Sequence, residues 1–174
     1  MCTPHAVANA FIGYAKDENI HLSEIKLHIL VYFAQGFSLG MYGQSIYRSA
    51  DIVAVEKGPV VRPLYDAIRD KYQKGYVGDF LEGEGPEKID RKHERDIIRA
   101  VWLAYKVFSD GDLWRIATKQ QSPWAKALKR HPSFSELKED DMRIFFGELI
   151  KESQSRLAQA SITGENKNVA VPRT

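Results

Sequence analysis

The chain has little cysteine and almost no excess charge of one sign. Its 174 residues include one cysteine, Cys2, which excludes an internal disulfide framework and any zinc site built from several cysteines. The 25 basic and 23 acidic residues leave a net charge of +2, too small to demand a nucleic-acid or membrane partner. The longest apolar stretch, over about 29–42, is too short to span a bilayer and contains a glutamine and two glycines.

The N-terminal residues also lack the basic region of a secretory signal. The first lysine or arginine is Lys16, so a signal peptide is not expected. Hydrophobic residues make up 44% of the chain and charged residues 28%, as in ordinary globular proteins. We therefore expect a cytoplasmic protein with one folded domain over 1–157. A flexible polar tail is expected over 158–174, where the apolar periodicity is lost.

Capping residues and apolar spacing predict a mainly α-helical fold. Four segments carry residue types typical of a helix start: Thr3-Pro4, Ser23, Ser109 and Ser122-Pro123. The helix after Ser23, over about 24–40, is apolar nearly all round, so we expect it to be the buried centre of a compact multi-helix bundle. Gly36 and Gly40 lie one turn apart on it and would let a neighbouring helix approach closely. Two more helices are predicted over about 90–108 and 139–157.

A small β element is predicted beside the helices. Residues 51–56 are β-branched and bounded by turn residues, which is typical of a short strand. Lys57-Gly58-Pro59 interrupts the chain, and a helix is predicted from position 60 or 62 to Gly75. The glycine-rich segment that follows leaves room for a short strand, so we expect a hairpin that pairs 51–56 with 76–80.

No motif for catalysis or metal binding stands out. The histidines do not have metal-ligand spacing: His5, His21, His28, His93 and His131. No catalytic residue, metal or cofactor is expected. An enzyme with a dispersed site stays open as an alternative, and it would require His28, Glu56 and His93 to meet in the fold.

A basic and aromatic patch over 114–130 keeps a nucleic-acid-binding regulator open as the alternative function. It combines two aromatic and five basic side chains: Trp114, Trp124, Arg115, Lys119, Lys126, Lys129 and Arg130. Bases of single strands stack on aromatic rings beside cations. The competing interpretation is a solvated helix face with Trp124 in the core.

Four segments in order resemble the Panacea family, also called SocA-like domains, of bacterial and phage antitoxins. They are Val7–Ile12, Lys26–Gly36, Glu56–Tyr65 and Leu113–Trp124. The resemblance covers about residues 5 to 150. It departs at His28, where the family has lysine, and at Lys119, where the family often has histidine.

The resemblance implies a mostly helical domain with a small β element and no catalysis. It implies an antitoxin of a toxin-antitoxin system, prophage-associated, that neutralises a cognate protein toxin by direct binding. One branch of the family delivers its toxin to an ATP-dependent protease, so an adaptor role is a further expectation. Neither nucleic acid nor a membrane is an expected partner.

The same motifs give the candidate partner-binding residues. They are Lys26, Tyr32, Gln35, Gly58, Pro59, Val60, Arg62, Tyr65, Trp114 and Trp124. Tyrosine, tryptophan and arginine are common anchors of protein interfaces. The alternative is a structural role, in which Gly58-Pro59 shapes a turn while Tyr65 and Trp124 fill the core.

Overall fold

The computed structural model describes residues 2–69, 77–81, 89–132 and 134–163. Within these ranges the helices are α1 (Pro4–Asp17), α2 (Glu24–Tyr42), α3 (Arg62–Arg69), α4 (Lys92–Tyr105), α5 (Asp110–Ala117), α6 (Pro123–Arg130) and α7 (Glu139–Thr163). The strands are β1 (Ile52–Val55), β2 (Gly58–Val61) and β3 (Ser135–Glu136). The predicted class, mainly α with a small β element, is confirmed.

The predicted helix starts are also confirmed, and side chains cap them. The hydroxyls of Thr3, Ser23 and Ser122 accept hydrogen bonds from backbone N–H groups three residues onward, at 3.1, 3.0 and 3.2 Å. Ser109 and Asp112 form a reciprocal capping box at the start of α5. Each cap satisfies an N–H that the first helical turn leaves without an intrahelical partner.

Helix α2 lies at the centre of the bundle, as its apolar sequence predicts. Its side chains are buried on nearly every face, and α1, α4, α5, α7 and β2 pack around it. Gly36 and Gly40 lie against Phe146 and Gly147 of α7, where an added Cβ would have no room. The expected close approach of a neighbouring helix is therefore confirmed, and α7 is that helix.

The strand pairing differs from the expected one. β1 is the central strand, with β2 antiparallel on one side and β3 antiparallel on the other. Two residues, Glu56 and Lys57, connect β1 to β2, because Gly58 adopts a φ of +125° that lets the chain reverse at once. The hairpin between 51–56 and 76–80 is wrong: residues 77–80 form no strand, and residue 76 lies outside the described ranges.

One predicted helix end lies further along the chain than expected, and another falls outside the described residues. The helix after β2 begins at Arg62, and its predicted end at Gly75 falls outside the described residues. Helix α7 runs on to Thr163, so 158–163 of the segment expected as a tail are helical. Residues 164–174 lie outside the described ranges.

Candidate functional site

The candidate residues on α2 hold the bundle together. Lys26 is buried, and its Nζ donates to the backbone carbonyls of Lys106 at 2.6 Å and Phe108 at 2.8 Å. These carbonyls lie in the turn that follows α4, where the helix supplies no further N–H donors. Burial lowers the pKa of Lys26, and the charge of Asp110 opposes that shift. Lys26 therefore joins the start of α2 to the end of α4.

Replacing Lys26 should weaken this junction. We expect Lys26→Met to lower the free energy of unfolding by about 1–3 kcal/mol, because two carbonyls in a partly buried site lose their charged donor. Urea denaturation measures the loss, and Lys138→Met, at an exposed position, is the control. Equal stability of the two variants would show that Lys26 has no structural role.

Tyr32 and Gln35 are fully buried. The Tyr32 ring packs edge-on against Phe146, with ring centroids 5.4 Å apart. The Gln35 amide accepts from the N–H groups of Ile46 and Tyr47 and donates to the carbonyl of Tyr47 and the hydroxyl of Ser49. Gln35 thus fixes the segment that leads from α2 to β1.

The two motif tryptophans hold the β1–β2 hairpin in place through hydrogen bonds to its backbone. Trp114 on α5 donates its indole N–H to the carbonyl of Lys57 at 2.9 Å, and Trp124 on α6 donates to the carbonyl of Val55 at 2.7 Å. A Cβ on Gly58 would lie 3.4 Å from Nε1 of Trp114. Two helices therefore hold the hairpin through its backbone.

The outer edge of β2 is closed to strand pairing. Pro59 has no N–H to offer, and the N–H of Val61 points at Nδ1 of His28, with an N–N distance of 3.4 Å. Val60 is half-buried, and Gly58 and Pro59 are buried. A partner strand therefore finds no free donor at Pro59 or Val61, which disfavours β-strand addition at this edge.

His28 makes the stability of the fold depend on pH. Burial lowers the pKa of His28 from 6.5 to about 4, so the folded protein disfavours the proton that the unfolded chain accepts. Stability from this group is complete above pH 6.5 and falls as the pH drops toward 4. We expect a loss of about 2 kcal/mol between pH 7 and pH 5.

Urea denaturation at each pH measures this slope. His28→Asn, which keeps a hydrogen-bonding group near Val61, is expected to flatten the slope over the same range. An unchanged slope in His28→Asn would assign the pH dependence to other groups.

Three of the candidate residues expose their side chains. Trp114 is 41% exposed and Tyr65 is 43% exposed. The Arg69 guanidinium lies 5.8 Å from the centre of the Tyr65 ring. Arg62 donates to the carbonyl of Ala50 at 2.7 Å and lies 3.8 Å from Glu136. The other seven candidates are buried or half-buried, so most of the motif is framework.

The structure neutralises much of the basic patch over 114–130. Lys126 and Arg130 both pair with Asp141, at 3.5 and 2.7 Å. Arg115 pairs with Asp112, and Trp124 is half-buried against β1. Charges that are already paired contribute little to phosphate binding. These contacts weaken the nucleic-acid alternative.

The dispersed enzyme site does not assemble. The His93 ring lies 5.7 Å from Tyr42 at the end of α2, which is 14 residues from His28. That separation along a helix is about 21 Å. Glu56 is exposed in the hairpin turn, while His28 is buried. Among the residues with described positions, no group of histidine, cysteine, aspartate or glutamate could hold a metal ion.

No helix in the described part of the chain is long and apolar enough to cross a membrane.

Comparisons with known proteins show which family this frame belongs to. No curated protein and no solved structure matches the chain. A family model described as "Antitoxin SocA-like, Panacea domain" matches residues 27–125. This match covers more than half of the chain and includes α2 from Leu27 onward, the β1–β2 hairpin, and Trp114 and Trp124. The chain therefore belongs to the SocA-like, Panacea-domain antitoxin family.

Proposed function

We propose that this protein is a cytoplasmic antitoxin that neutralises a cognate protein toxin by direct binding. The family match over 27–125 carries the proposal. Two features of the fold support it. Most motif residues are buried or half-buried in the frame, and Trp114 lies on that frame with its indole N–H already hydrogen-bonded and 41% of the residue exposed. An aromatic ring held in place loses little conformational entropy when a partner covers it.

Growth rescue tests this function. The protein encoded next to this chain in its source genome is expressed from an inducible promoter, with and without the antitoxin. We expect induction of the neighbouring protein to arrest growth and co-expression to restore it. Growth arrest that persists beside soluble, folded antitoxin would contradict the proposal.

Delivery of the toxin to an ATP-dependent protease is a finer form of the same proposal. Rescue in a host that lacks its ATP-dependent proteases separates the two modes. If the toxin is only inhibited, rescue persists and the toxin's half-life is unchanged. If the antitoxin is an adaptor, rescue is lost in that host, and the antitoxin shortens the toxin's half-life in the parent strain.

We propose that residues 164–174 serve as a protease handle or contact the toxin directly. Truncation after Thr163 removes 164–174 and leaves α7 complete. We expect the truncated protein to neutralise the toxin less well at equal expression. Unchanged rescue would show that the segment has no part in neutralisation.

A further inference from the structure

The edge of β3 that faces away from β1 is open. Pairs in an antiparallel ladder alternate between residues that exchange hydrogen bonds and residues whose backbone groups point outward. The N–H of Leu137 donates to the carbonyl of Ile52 at 3.0 Å, so Leu137 faces β1. Glu136, the residue before it, lies opposite Val53, and its N–H and C=O therefore point away from β1. Among the described residues, none forms a hydrogen bond with either group.

This edge is the one at which the sheet can accept a further strand. Unpaired N–H and C=O groups at a sheet edge are a template for pairing with an extended segment of another chain. The other outer edge, on β2, offers no free donor at Pro59 or Val61. Glu136 is exposed, so a partner can reach its backbone.

A basin of about 840 Å³ lies beside β3 and brings charged side chains to this edge. Three cations and two carboxylates line it: Arg48, Arg130, Lys138, Glu136 and Glu139. Its size exceeds what a single side chain fills, and its lining is too polar for an apolar partner surface. The charges therefore decide which chemistry the edge accepts.

Both carboxylates of the basin already have partners. Glu136 lies 3.8 Å from the guanidinium of Arg62. Glu139 accepts hydrogen bonds from the hydroxyls of Ser45 and Ser49, each at 2.7 Å. Neither carboxylate therefore depends on a cation of the basin.

Two of the cations, by contrast, are free. Arg130 pairs with Asp141 at 2.7 Å, but Arg48 and Lys138 are exposed and form no ion pair within the described ranges. Asp51, three residues from Arg48, does not line the basin. Burial and the charge of Asp51 together raise the pKa of Tyr47, which is fully buried. Free cations beside the open edge complement an acidic partner.

A second copy of this chain fits the edge poorly. Pairing cannot extend past Phe134, whose φ of +53° takes it out of the extended conformation. About a twofold axis, pairing centred on Glu136 would place two carboxylates directly opposite each other, which is destabilising. Pairing Glu136 with Lys138 would need the Lys138 carbonyl, which already accepts from the N–H of Met142 at 3.1 Å.

Residues 164–174 of the chain itself also have the wrong charge. Their ionisable side chains are Glu165, Lys167 and Arg173, which give +1 from two basic residues and one acidic residue. This is the sign of the free cations in the basin. An acidic segment of another protein satisfies both the backbone groups and the charges.

We propose that an extended, acidic segment of the toxin adds to the sheet as a strand beside β3. Its backbone pairs with the N–H and C=O of Glu136, and aspartate or glutamate side chains on it face Arg48 and Lys138. Phe134, directly before β3 and 72% exposed, is an apolar contact at one end of the segment. This assignment rests on the antitoxin function proposed above.

A proline at position 136 tests the backbone contact. Glu136→Pro removes the outward N–H without removing a hydrogen bond to β1, as prolines at sheet edges do. Glu136→Ala is the matched control, because it removes the same carboxylate and keeps the N–H. Against the purified product of the adjacent gene, in a growth-permissive variant, we expect the proline to raise the Kd at least about tenfold. The alanine should stay within about threefold of wild type.

Equal thermal midpoints show that both variants are folded. Amide hydrogen exchange in the wild-type protein gives a second measurement that needs no substitution. We expect exchange of the Glu136 amide to slow at least about tenfold in the complex. A Glu136 amide that exchanges equally fast in the free and bound protein would overturn the proposed pairing.

Charge reversal tests the acidic character of the partner. Arg48→Glu/Lys138→Glu should weaken binding about tenfold at low salt, and the difference should shrink as salt rises. Lys151→Glu/Arg156→Glu, at exposed positions further along α7, is the matched control. An equal effect of the two pairs would remove the acidic side chains from the proposal.

A photo-crosslinking residue at position 134 identifies the occupant, with the exposed position 103 on α4 as the control. We expect position 134 to crosslink to a toxin segment that contains aspartate or glutamate. Crosslinks to a second copy of this chain, or to its own residues 164–174, would overturn the assignment. A Glu136→Pro protein that binds and rescues like wild type would overturn it while the antitoxin function stands. A wild-type chain that neither binds nor rescues removes both proposals.

Discussion

Gln35→Met should lower the free energy of unfolding by about 3–5 kcal/mol. Methionine fills a similar volume but makes none of the four hydrogen bonds of the buried amide. The N–H groups of Ile46 and Tyr47 would lose their acceptor, and the Tyr47 carbonyl and Ser49 hydroxyl would lose a donor. Each buried polar group left without a partner costs about 1–3 kcal/mol.

The loss of stability should extend to the start of α7 as well as to the segment beside Gln35. Ser49 donates to Glu139 at 2.7 Å, and hydrogen bonds from Ser49 and Ser45 lower the pKa of that carboxyl. Chemical denaturation measures the loss. Gln120→Met, at an exposed position, is the control and should change stability by less than about 0.5 kcal/mol. A Gln35→Met protein as stable as the control would contradict the structural role assigned to the amide.

Gly40→Ala should lower the free energy of unfolding by about 3 kcal/mol. Its Cβ would lie 2.7 Å from the backbone nitrogen of Gly147 and 2.8 Å from the carbonyl carbon of Phe146. Backbone atoms cannot turn aside as a flexible side chain does, so α7 must shift away from α2. Overpacking of this kind costs about 1–3 kcal/mol or more, which exceeds the roughly 1 kcal/mol that alanine gains over glycine in a helix.

Gly13→Ala provides the matched comparison. Gly13 is also inside a helix, but its added Cβ would meet Phe80 at an ordinary 3.8 Å. The substitution should therefore stabilise the protein slightly through helix propensity. If both alanine variants stabilised the protein, the close crossing of α2 and α7 would be wrong.

Features set by neighbouring residues were predictable from the sequence. The capping residues Thr3, Ser23, Ser109 and Ser122 act within a few positions of themselves, so their helix starts are where they were expected. The all-round apolar surface of α2 predicted its central position, and its two glycines predicted a close helix. The sequence could not say that the close helix is α7, about 100 residues further on.

Features set by distant contacts were not predictable in the same way. β3 pairs with β1 across about 80 residues, and no local signal distinguishes Ser135-Glu136 as a strand. Lys26 was a candidate for partner binding, yet its ammonium reaches carbonyls 80 and 82 residues away. A core position was one interpretation of Tyr65, but its neighbours Leu64 and Ile68 are buried while Tyr65 is 43% exposed.

We propose that this protein neutralises a toxin by holding it in a complex. Light scattering coupled to size-exclusion chromatography tests this claim directly, on a mixture of the purified antitoxin and a growth-permissive variant of the neighbouring gene product. We predict one species with the summed mass of a fixed stoichiometry and no nucleic-acid absorbance. Two separately eluting proteins at micromolar concentration would contradict direct binding, and a species that contains nucleic acid would favour the basic patch over 114–130 instead.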